Sequence, residues 1–336
     1  MNFAEKIKIG LKYGNFKRIK NFLFNGFSKF LGLSRVRGYP LTLMLEPTNF
    51  CNLKCPLCPT GQGIINRKKQ SLSFEKAKII LDQLGSQIIH LRLWNWGEPL
   101  LCKDIFKIIE YAKKYNLFIN LSTNAFFLNK DFAKKLVNSK LDEIIISLDG
   151  ASEETYKKYR KEGSFFKAIE AIQEINNQKK IQSKKNPIIK LQFIVMRHNQ
   201  HEIVKIIEIA NEIGVNKVFF KSVGRMDLGV KEDITKYLPT KKEFVRKSFE
   251  KIENKCDYLW EEITINVDGS VVPCCRDANN KYIFGNIFKE NFKKIWNNKK
   301  YQNFRKKVLK NKKSIDICQF CSGSKKELTI KEIKIK

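Results

Sequence analysis

Cys51-Asn-Leu-Lys-Cys55-Pro-Leu-Cys58 is the most informative segment of this 336-residue chain, because it gathers three cysteines with the spacing C-x3-C-x2-C. The segment follows the apolar, strand-like run Leu41-Thr-Leu-Met-Leu-Glu46. Thiolates are soft ligands that suit iron–sulfur clusters and zinc. A structural zinc site closes with four ligands, whereas a four-iron cluster held by three cysteines keeps one iron open to a substrate or cofactor. The trio therefore predicts an open cluster, and the alternatives are a three-ligand zinc site and a chance grouping of cysteines.

The spacing, with Leu57 before the last cysteine, resembles the signature of the radical S-adenosylmethionine (SAM) superfamily. The resemblance covers roughly residues 40 to 225. It implies that Cys51, Cys55 and Cys58 hold a [4Fe–4S] cluster whose open iron is bound by the amino and carboxylate groups of SAM. It also implies reductive cleavage of SAM to methionine and a 5′-deoxyadenosyl radical.

Short β-rich runs alternate with longer helical patterns after residue 41, which predicts parallel strands joined by crossover helices. The predicted strands are 41–46, 88–93, 117–122, 142–148, 188–195 and 215–221. The predicted helices are 74–84, 104–115, 130–138, 153–178, 200–213 and 240–254. Six such units suit the α/β fold of the resembled family, a partial (β/α)6 barrel with its chemistry at the carboxyl ends of the strands. The expected organisation is an N-terminal extension (1–38), the barrel (39–238) and a small auxiliary iron–sulfur domain (239–336).

The second predicted strand ends in Trp94-Asn-Trp96-Gly97-Glu98-Pro99, which resembles the GGE motif of radical SAM proteins with Trp96 in place of the first glycine. The resemblance implies that Gly97 and Glu98 receive the ammonium group of SAM, a charge-assisted contact. A plain Gly-Glu-Pro turn is the alternative.

Polar side chains also lie at or just after the carboxyl ends of the third and fourth predicted strands. The resemblance assigns them to the ribose and methionine end of SAM, and they are Ser122, Asn124, Ser147 and Asp149. Ordinary turn capping by Ser, Asn and Asp is the alternative. Arg160 resembles an arginine that pairs with the SAM carboxylate, and a solvated helix face is the alternative for that residue.

The C-terminal third carries a second cysteine pattern around the alternating run 263–272, in which Asp268-Gly269 predicts a hairpin. Its spacing C-x12-G-x4-C resembles the start of SPASM domains, which add auxiliary iron–sulfur clusters to radical SAM barrels. Glu327 stands where the next SPASM cysteine would fall, so the domain resembles the shortened, twitch-like form with one auxiliary [4Fe–4S] cluster. The ligands implied are Cys256, Cys274, Cys318 and Cys321, with Cys275 as a neighbour. A four-cysteine zinc ribbon is the alternative.

Composition narrows the classes of function. Hydrophobic residues make up 43% of the chain, enough to bury a sizeable core. Nine clustered cysteines without a secretory signal predict a reducing, cytoplasmic compartment, and no uncharged apolar run approaches the length of a membrane span. The net charge of +31 invites a nucleic-acid partner. We do not expect one, because the lysines are spread along the chain, as codon bias in a genome rich in A and T would produce.

Residues 1–38 hold nine Lys and Arg against one Glu. Their apolar residues recur at helical spacing, at Phe16, Ile19, Leu23, Phe27 and Phe30. The pattern predicts a basic amphipathic helix. Two interpretations remain open, a peripheral contact with an anionic membrane surface and a helix packed against the barrel exterior.

The function implied is that of a radical SAM oxidoreductase that removes a hydrogen atom from a small polyol or sugar-like substrate, with an auxiliary cluster accepting an electron. A flavodoxin or ferredoxin would supply the reducing electron. A peptide-modifying maturase is the alternative, disfavoured because only about forty residues precede the barrel, too few for a typical leader-peptide domain. A non-catalytic, basic zinc- or other metal-binding protein is the alternative of another class.

Overall fold

A single ten-stranded sheet organises the computed structural model, which describes residues 3–224, 229–245, 252–323 and 329–335. The strands are β1 (Thr42–Leu45), β2 (His90–Leu93), β3 (Phe118–Thr123), β4 (Glu143–Ser147), β5 (Ile188–Val195), β6 (Lys217–Ser222), β7 (Glu262–Ile265), β8 (Ser270–Val272), β9 (Gly285–Asn286) and β10 (Thr329–Lys334). The sheet order is β10-β6-β5-β4-β3-β2-β1-β7-β8-β9, and β1 to β6 are parallel neighbours in chain order.

Helices connect the parallel strands, as the alternation of patterns predicts. In chain order, the helices of the described residues are α1 (Phe3–Tyr13), α2 (Phe16–Phe30), α3 (Phe74–Leu84), α4 (Ile105–Lys113), α5 (Lys130–Asn138), α6 (Glu153–Tyr159), α7 (Phe165–Ile181), α8 (Ile203–Glu212), α9 (Tyr258–Glu261), α10 (Phe292–Trp296) and α11 (Lys299–Asn311). Those from α3 to α8 lie between the parallel strands β1 to β6. The side chains of Ser73, Asn129, Ser152 and Ser164 each accept a bond from a backbone N–H of the first helical turn, which fixes where α3, α5, α6 and α7 begin. None of the helices in the described ranges is long and apolar enough to cross a bilayer.

The predicted α/β architecture is confirmed, with small shifts at element ends. All five side chains of β4, Glu143-Ile-Ile-Ile-Ser147, are buried. This is typical of a parallel strand covered on both faces, and such a strand reads as a continuous apolar run in the sequence. The helix predicted over 153–178 is instead two helices, separated between Arg160 and Ser164. The helix predicted over 240–254 lies partly outside the described residues, and its described start holds only a 3-10 turn at Lys242–Phe244.

The C-terminal segment continues the barrel sheet. β7 lies parallel to β1, and β8 and β9 follow as antiparallel strands. β10 returns to the other edge and pairs antiparallel with β6. The boundary near residue 238 stays a prediction, and the sheet itself runs across it.

A buried ion pair fastens this segment to the barrel. Glu46, which follows β1, is fully buried, and both its oxygens accept 2.7 Å bonds from the Arg67 guanidinium. The same carboxylate accepts a 3.0 Å bond from the Val267 backbone N–H in the hairpin, and Arg67 Nε donates to the Ala278 carbonyl at 2.6 Å. One bidentate pair therefore joins the loop after Cys58 to the C-terminal hairpin.

The N-terminal helices cover the amino ends of the strands. The Tyr13 hydroxyl donates to Asp142 in the turn before β4, and the Arg18 guanidinium donates to the carbonyls of Gly85 and Tyr115 before β2 and β3. Helix α2 thus packs on the barrel exterior, which was one of the two interpretations. The contacts are made by polar side chains, however, and the apolar stripe of α2 is exposed to solvent.

Candidate active site

The three cysteines of the C-x3-C-x2-C segment lie in the loop after β1, at the carboxyl ends of the parallel strands. They line one cavity, together with Leu53, Leu57, Trp94, Asn95, Trp96, Gly97, Glu98, Ser122, Thr123, Asn124, Ser147, Tyr159 and Arg160. All three thiols are free. The Cys58 N–H donates to the Cys55 carbonyl at 3.1 Å, a tight turn that holds these two side chains side by side.

Burial controls the protonation of these thiols. It raises the pKa of Cys51 to about 11 and the pKa of Cys55 to about 12, so both are protonated at neutral pH in the metal-free chain. Metals bind the deprotonated thiolate. Occupation of the site must therefore expel protons, and the apolar wall that raises these pKa values also keeps water from a bound cluster.

Gly97 and Glu98 are fixed by contacts with the cysteine loop and with β3. A Cβ on Gly97 would lie 2.1 Å from the Thr48 carbonyl oxygen, so only glycine lets these backbones approach. The buried Glu98 carboxylate accepts bonds from the Thr123 hydroxyl at 2.6 Å and the Asn124 N–H at 2.9 Å. Burial raises the Glu98 pKa, and these bonds oppose the rise. Glu98 therefore cross-links the two strand ends as well as lining the cavity.

Asn124 contacts the cysteine loop directly. Its Nδ2 donates to Cys51 Sγ at 3.7 Å and to Asn52 Oδ1 at 2.9 Å, while its Oδ1 accepts from the Phe126 N–H at 2.9 Å. Cys51 Sγ accepts a second bond from the Leu53 N–H at 3.4 Å. The amide predicted to face SAM is therefore also a hydrogen-bond donor to a thiol of the trio.

Asp149 and Arg160 form a buried ion pair, with Arg160 Nε 2.6 Å from Asp149 Oδ2. The other Asp149 oxygen accepts from the Ile194 N–H at 2.6 Å, and the side chain is fully buried. Burial would lower the Arg160 pKa, but the Asp149 carboxylate, and Cys55 once it is deprotonated, hold it well above its usual range. Arg160 lines the cavity and Asp149 stands behind it. The assignment of Asp149 to the ribose and methionine end of SAM stays a prediction.

The remaining polar residues predicted on the wall are Ser122 and Ser147, and both line the cavity. Gln192 on β5 donates to the Ser147 hydroxyl at 3.4 Å. On β6, burial and the nearby positive charge of Arg92 lower the pKa of Lys221 to about 8. The barrel interior therefore holds an amine that changes charge near neutral pH.

Sequence reasoning missed several wall residues. The ring of Tyr159 packs against the ring of Tyr237, and its centroid lies 5.6 Å from Arg160 Cζ. Asn95 Nδ2 donates to Asn266 Oδ1 at 2.9 Å, and Asn266 Nδ2 donates to Asn280 Oδ1 at 2.6 Å, which links the wall to the C-terminal hairpin. Their positions next to the motifs could have identified them from the sequence, since Asn95 lies between Trp94 and Trp96 and Tyr159 directly precedes Arg160.

A second group of thiols lies in the C-terminal segment, where Gly269, at a φ of +83°, turns the β7–β8 hairpin. Burial raises the pKa of Cys256 to about 11 and that of Cys318 to about 12. Burial also raises the pKa of Cys274 well above its usual range, and four neighbouring thiols raise it further, namely Cys275, Cys318, Cys321 and Cys256. The structure therefore brings together the four cysteines of the predicted auxiliary site. Cys275 lies beside Glu262 and Arg276.

The chemistry of the first site fits SAM and an iron–sulfur cluster. Three thiols supply soft ligands on one side, and a guanidinium, an acid and hydroxyls line the rest of the wall. Two buried atoms of the wall, Asn95 Oδ1 and Trp96 Nε1, have no hydrogen-bond partner within the described residues, which is typical of a site completed by a ligand. No three His, Cys, Asp or Glu side chains in the described ranges converge as they would on a single ion. Cluster thiolates bind different irons and do not need that convergence.

Comparison with known proteins identifies both parts of the chain. Residues 45–183 match the radical SAM superfamily, and residues 256–322 match the SPASM iron–sulfur cluster-binding domain. The chain therefore carries a radical SAM domain followed by a SPASM domain. Its cofactors are accordingly SAM and [4Fe–4S] clusters.

Curated relatives share part of this radical SAM chain. Mycofactocin maturase MftC of Mycolicibacterium smegmatis is 32% identical over 139 residues, which cover 41% of this chain and 35% of the relative. A probable GTP 3′,8-cyclase of Saccharolobus islandicus is 31% identical over 198 residues, covering 57% of this chain and 60% of the relative. The match thus spans about a third of the first relative and three fifths of the second.

Solved structures share the fold at low identity. Streptococcus suis SuiB bound to S-adenosylmethionine superposes with a TM-score of 0.64 at 17% identity, over 96% of this chain and 83% of that one. SuiB has also been solved with its precursor peptide SuiA. BtrN in complex with AdoMet and 2-DOIA gives a TM-score of 0.55 at 17% identity, over 84% of this chain and 92% of that one.

Proposed function

We propose that this chain binds SAM in the cavity beside Cys51, Cys55 and Cys58, cleaves it reductively, and removes a hydrogen atom from a peptide substrate. The observation that carries the proposal is the convergence of the three thiols with Glu98, Asn124 and Arg160 on one cavity at the carboxyl ends of the strands. Such an edge is where barrels of this class hold reactants. The four C-terminal cysteines would hold a separate auxiliary cluster.

The chain's own residues bind and orient the cofactors. Cys51, Cys55 and Cys58 would ligate the cluster, and Glu98 and the Gly97 backbone would receive the SAM ammonium. Arg160, held in place by Asp149 at 2.6 Å, would pair with the SAM carboxylate, while Ser122 and Ser147 offer hydroxyls to the ribose. When bound, SAM and the cluster would supply hydrogen-atom abstraction from the substrate, with one donated electron consumed for each SAM cleaved to methionine and 5′-deoxyadenosine. Cys256, Cys274, Cys318 and Cys321 would hold the auxiliary cluster, an acceptor for the second electron of the substrate oxidation, and the accompanying proton would pass to solvent.

A peptide substrate is favoured by the comparisons. One curated relative is a maturase, and SuiB, whose fold is shared, was solved with a precursor peptide. A small polyol or amino-sugar substrate is the second candidate. It is favoured by the likeness to BtrN, which spans 92% of that chain, and by the presence of one rather than two C-terminal groups of thiols among the described residues.

The central assignment is tested by replacing Cys51, Cys55 and Cys58 with alanine. The anaerobically reconstituted variant should retain the iron of the auxiliary site and form no 5′-deoxyadenosine from SAM and dithionite, because no open iron remains to bind SAM. Cys102→Ala is the matched control, since that thiol is buried outside the cavity. Formation of 5′-deoxyadenosine at the wild-type rate in the triple variant would contradict the assignment.

The substrate class is tested by deuterium transfer. Extract of the source organism grown in deuterated medium is separated into peptide-sized and small-molecule fractions, and each is incubated with the enzyme, SAM and dithionite. A peptide substrate should transfer deuterium to 5′-deoxyadenosine from the larger fraction, and protease treatment should abolish the transfer. Transfer from the protease-resistant small-molecule fraction would overturn the peptide proposal and favour the polyol.

A further inference from the structure

Helix α2 packs against the barrel through its polar side. Its buried side chains are Arg18, Asn21, Asn25 and Ser28, spaced as one helical stripe. The Arg18 guanidinium donates to backbone carbonyls, at 2.9 Å to Gly85 and 2.6 Å to Tyr115. Asn21 Nδ2 donates to Gln87 Oε1 at 3.0 Å. The Arg18 bonds satisfy backbone carbonyls just after α3 and α4, and together with the Asn21 bond they fix which side of α2 faces the protein.

The opposite side of α2 is apolar and exposed to solvent. Phe16 is 83% exposed, Leu23 62% and Phe30 87%, and Ile19 and Phe27 complete the same stripe. Leu11 on the neighbouring helix α1 is also 82% exposed. A helix of a water-exposed protein turns its apolar stripe to the core, and here the orientation is reversed. Contiguous exposed apolar surface of this kind marks an interaction site.

Positive charge borders this apolar stripe. Lys12, Lys17 and Lys20 on α1 and α2, and Arg35 and Arg37 after α2, are all exposed. Lys20 and Arg37 lie over the rings of Phe24 and Phe27, at 5.5 and 5.7 Å from the ring centroids. Long basic side chains can lay their stems along an apolar surface while their charges reach outward. The surface therefore combines aromatic and aliphatic side chains with a rim of cations.

We propose that this face of α2, with Leu11, docks on an anionic membrane surface. Insertion of Phe and Leu side chains at the headgroup level and attraction of basic residues to anionic lipid are the two contributions that hold amphipathic helices at bilayers. The rim of exposed cations selects this occupant over an apolar partner protein. A second copy of the chain is disfavoured, because apposing two such faces would bring the cations of both copies together.

The position of the helix makes docking compatible with catalysis. Arg18 and Asn21 attach α2 to the turns that precede β2 and β3, at the amino ends of the strands. The candidate active site lies at the carboxyl ends. A membrane-bound molecule would thus keep its cavity on the side away from the bilayer, and docking should leave SAM cleavage unchanged.

The test compares two triple variants of the full-length, cluster-loaded protein. Phe16→Ser, Leu23→Ser and Phe30→Ser remove exposed side chains from the stripe. Phe166→Ser, Ile181→Ser and Val204→Ser remove equally exposed ones from α7 and α8 and serve as the matched control. Both are assayed by co-sedimentation with vesicles of phosphatidylcholine alone and of phosphatidylcholine with phosphatidylserine, at physiological salt.

We expect wild type and control to bind the vesicles that contain phosphatidylserine. The stripe variant should bind them at least roughly tenfold more weakly, since three apolar insertions are lost. Replacing Lys12, Lys17 and Lys20 with Gln should also weaken binding, whereas the same change at Lys130, Lys134 and Lys135 should not. Wild type that fails to bind these vesicles would overturn the proposal. So would a concentration-dependent dimer in sedimentation velocity that the stripe variant loses while vesicle binding stays unchanged.

Discussion

At the scale of single residues, Asn124 connects the wall of the candidate site to the cysteine loop. Its amide donates to Cys51 Sγ at 3.7 Å, and the Leu53 N–H donates to the same sulfur at 3.4 Å. Hydrogen bonds to a cluster's sulfurs stabilise the more negative, reduced form and so raise its reduction potential. In this arrangement one amide holds the strand end against the cysteine loop and would also set how readily a cluster bound by Cys51 accepts an electron.

We therefore expect Asn124→Ser to lower the potential of the SAM-binding cluster by about 20–60 mV, taking one hydrogen bond as roughly 0.5–1.5 kcal/mol and one electron transferred. The measurement is a redox titration followed by electron paramagnetic resonance, without SAM, so that loss of a SAM contact does not contribute. The titration is done in a protein whose Cys256, Cys274, Cys318 and Cys321 are replaced with alanine, because only the SAM-binding cluster would then remain to titrate. An unchanged potential would show that Asn124 does not act through the sulfur.

At the scale of elements, the pair of Glu46 and Arg67 joins the end of β1 to the C-terminal hairpin. The Arg67 side chain is 6% exposed and Glu46 is fully buried, so neither has water to replace its partner. A buried pair of this kind adds little over an apolar pair of the same shape, but removal of one partner leaves an uncompensated charge. The contact thus sets how the hairpin sits on the barrel more than it adds stability.

Arg67→Met should destabilise the fold by about 3–5 kcal/mol, because the Glu46 carboxylate is left buried and unpaired. The double variant Glu46→Gln, Arg67→Met should recover much of that loss. Denaturant unfolding of the cluster-loaded protein measures both, and Lys78→Met, which breaks the exposed pair with Asp82, is the control expected to change little. Equal stability of the single variant and wild type would mean that the pair is not buried in solution.

At the scale of the whole molecule, the sheet carries two groups of thiols on one frame. β7 lies directly beside β1, so the strand that leads into the C-terminal cysteines neighbours the strand that leads into the first trio. A chain of amides from Asn95 through Asn266 to Asn280 runs between the cavity wall and the hairpin. The auxiliary site is therefore built onto the barrel sheet and has a fixed orientation relative to the cavity.

Replacing Cys256, Cys274, Cys318 and Cys321 with alanine should reduce iron from about eight to about four atoms per chain, the difference of one four-iron cluster. Cleavage of SAM without substrate should persist, while substrate oxidation should be lost with its electron acceptor. Iron, sulfide and zinc analysis of anaerobically reconstituted protein, with 5′-deoxyadenosine assays, measures these outcomes. One zinc and only four irons in wild type would favour a structural ribbon on a single-cluster enzyme.

The sequence by itself determined the periodic elements and the cysteine groups. The strand at 188–195 and the helices at 74–84 and 130–138 were predicted to the residue, because apolar periodicity and capping residues act over a few neighbouring positions. The trio at Cys51–Cys58 and the Asp268-Gly269 turn are likewise local. Glu327, on which the shortened form of the SPASM domain depends, lies outside the described residues.

Only the tertiary structure decided which partner each polar group takes. The pattern of α2 revealed an apolar stripe but not that it faces outward, because the bonds that bury Arg18 go to the carbonyls of Gly85 and Tyr115. Backbone carbonyls look alike in every sequence, and only folding shows which of those at the end of a helix take a side chain from a distant segment as their partner. Asp149 likewise pairs with Arg160 because α6 returns that guanidinium to the end of β4. Such contacts join distant parts of the chain, and they depend on a geometry that no local pattern encodes.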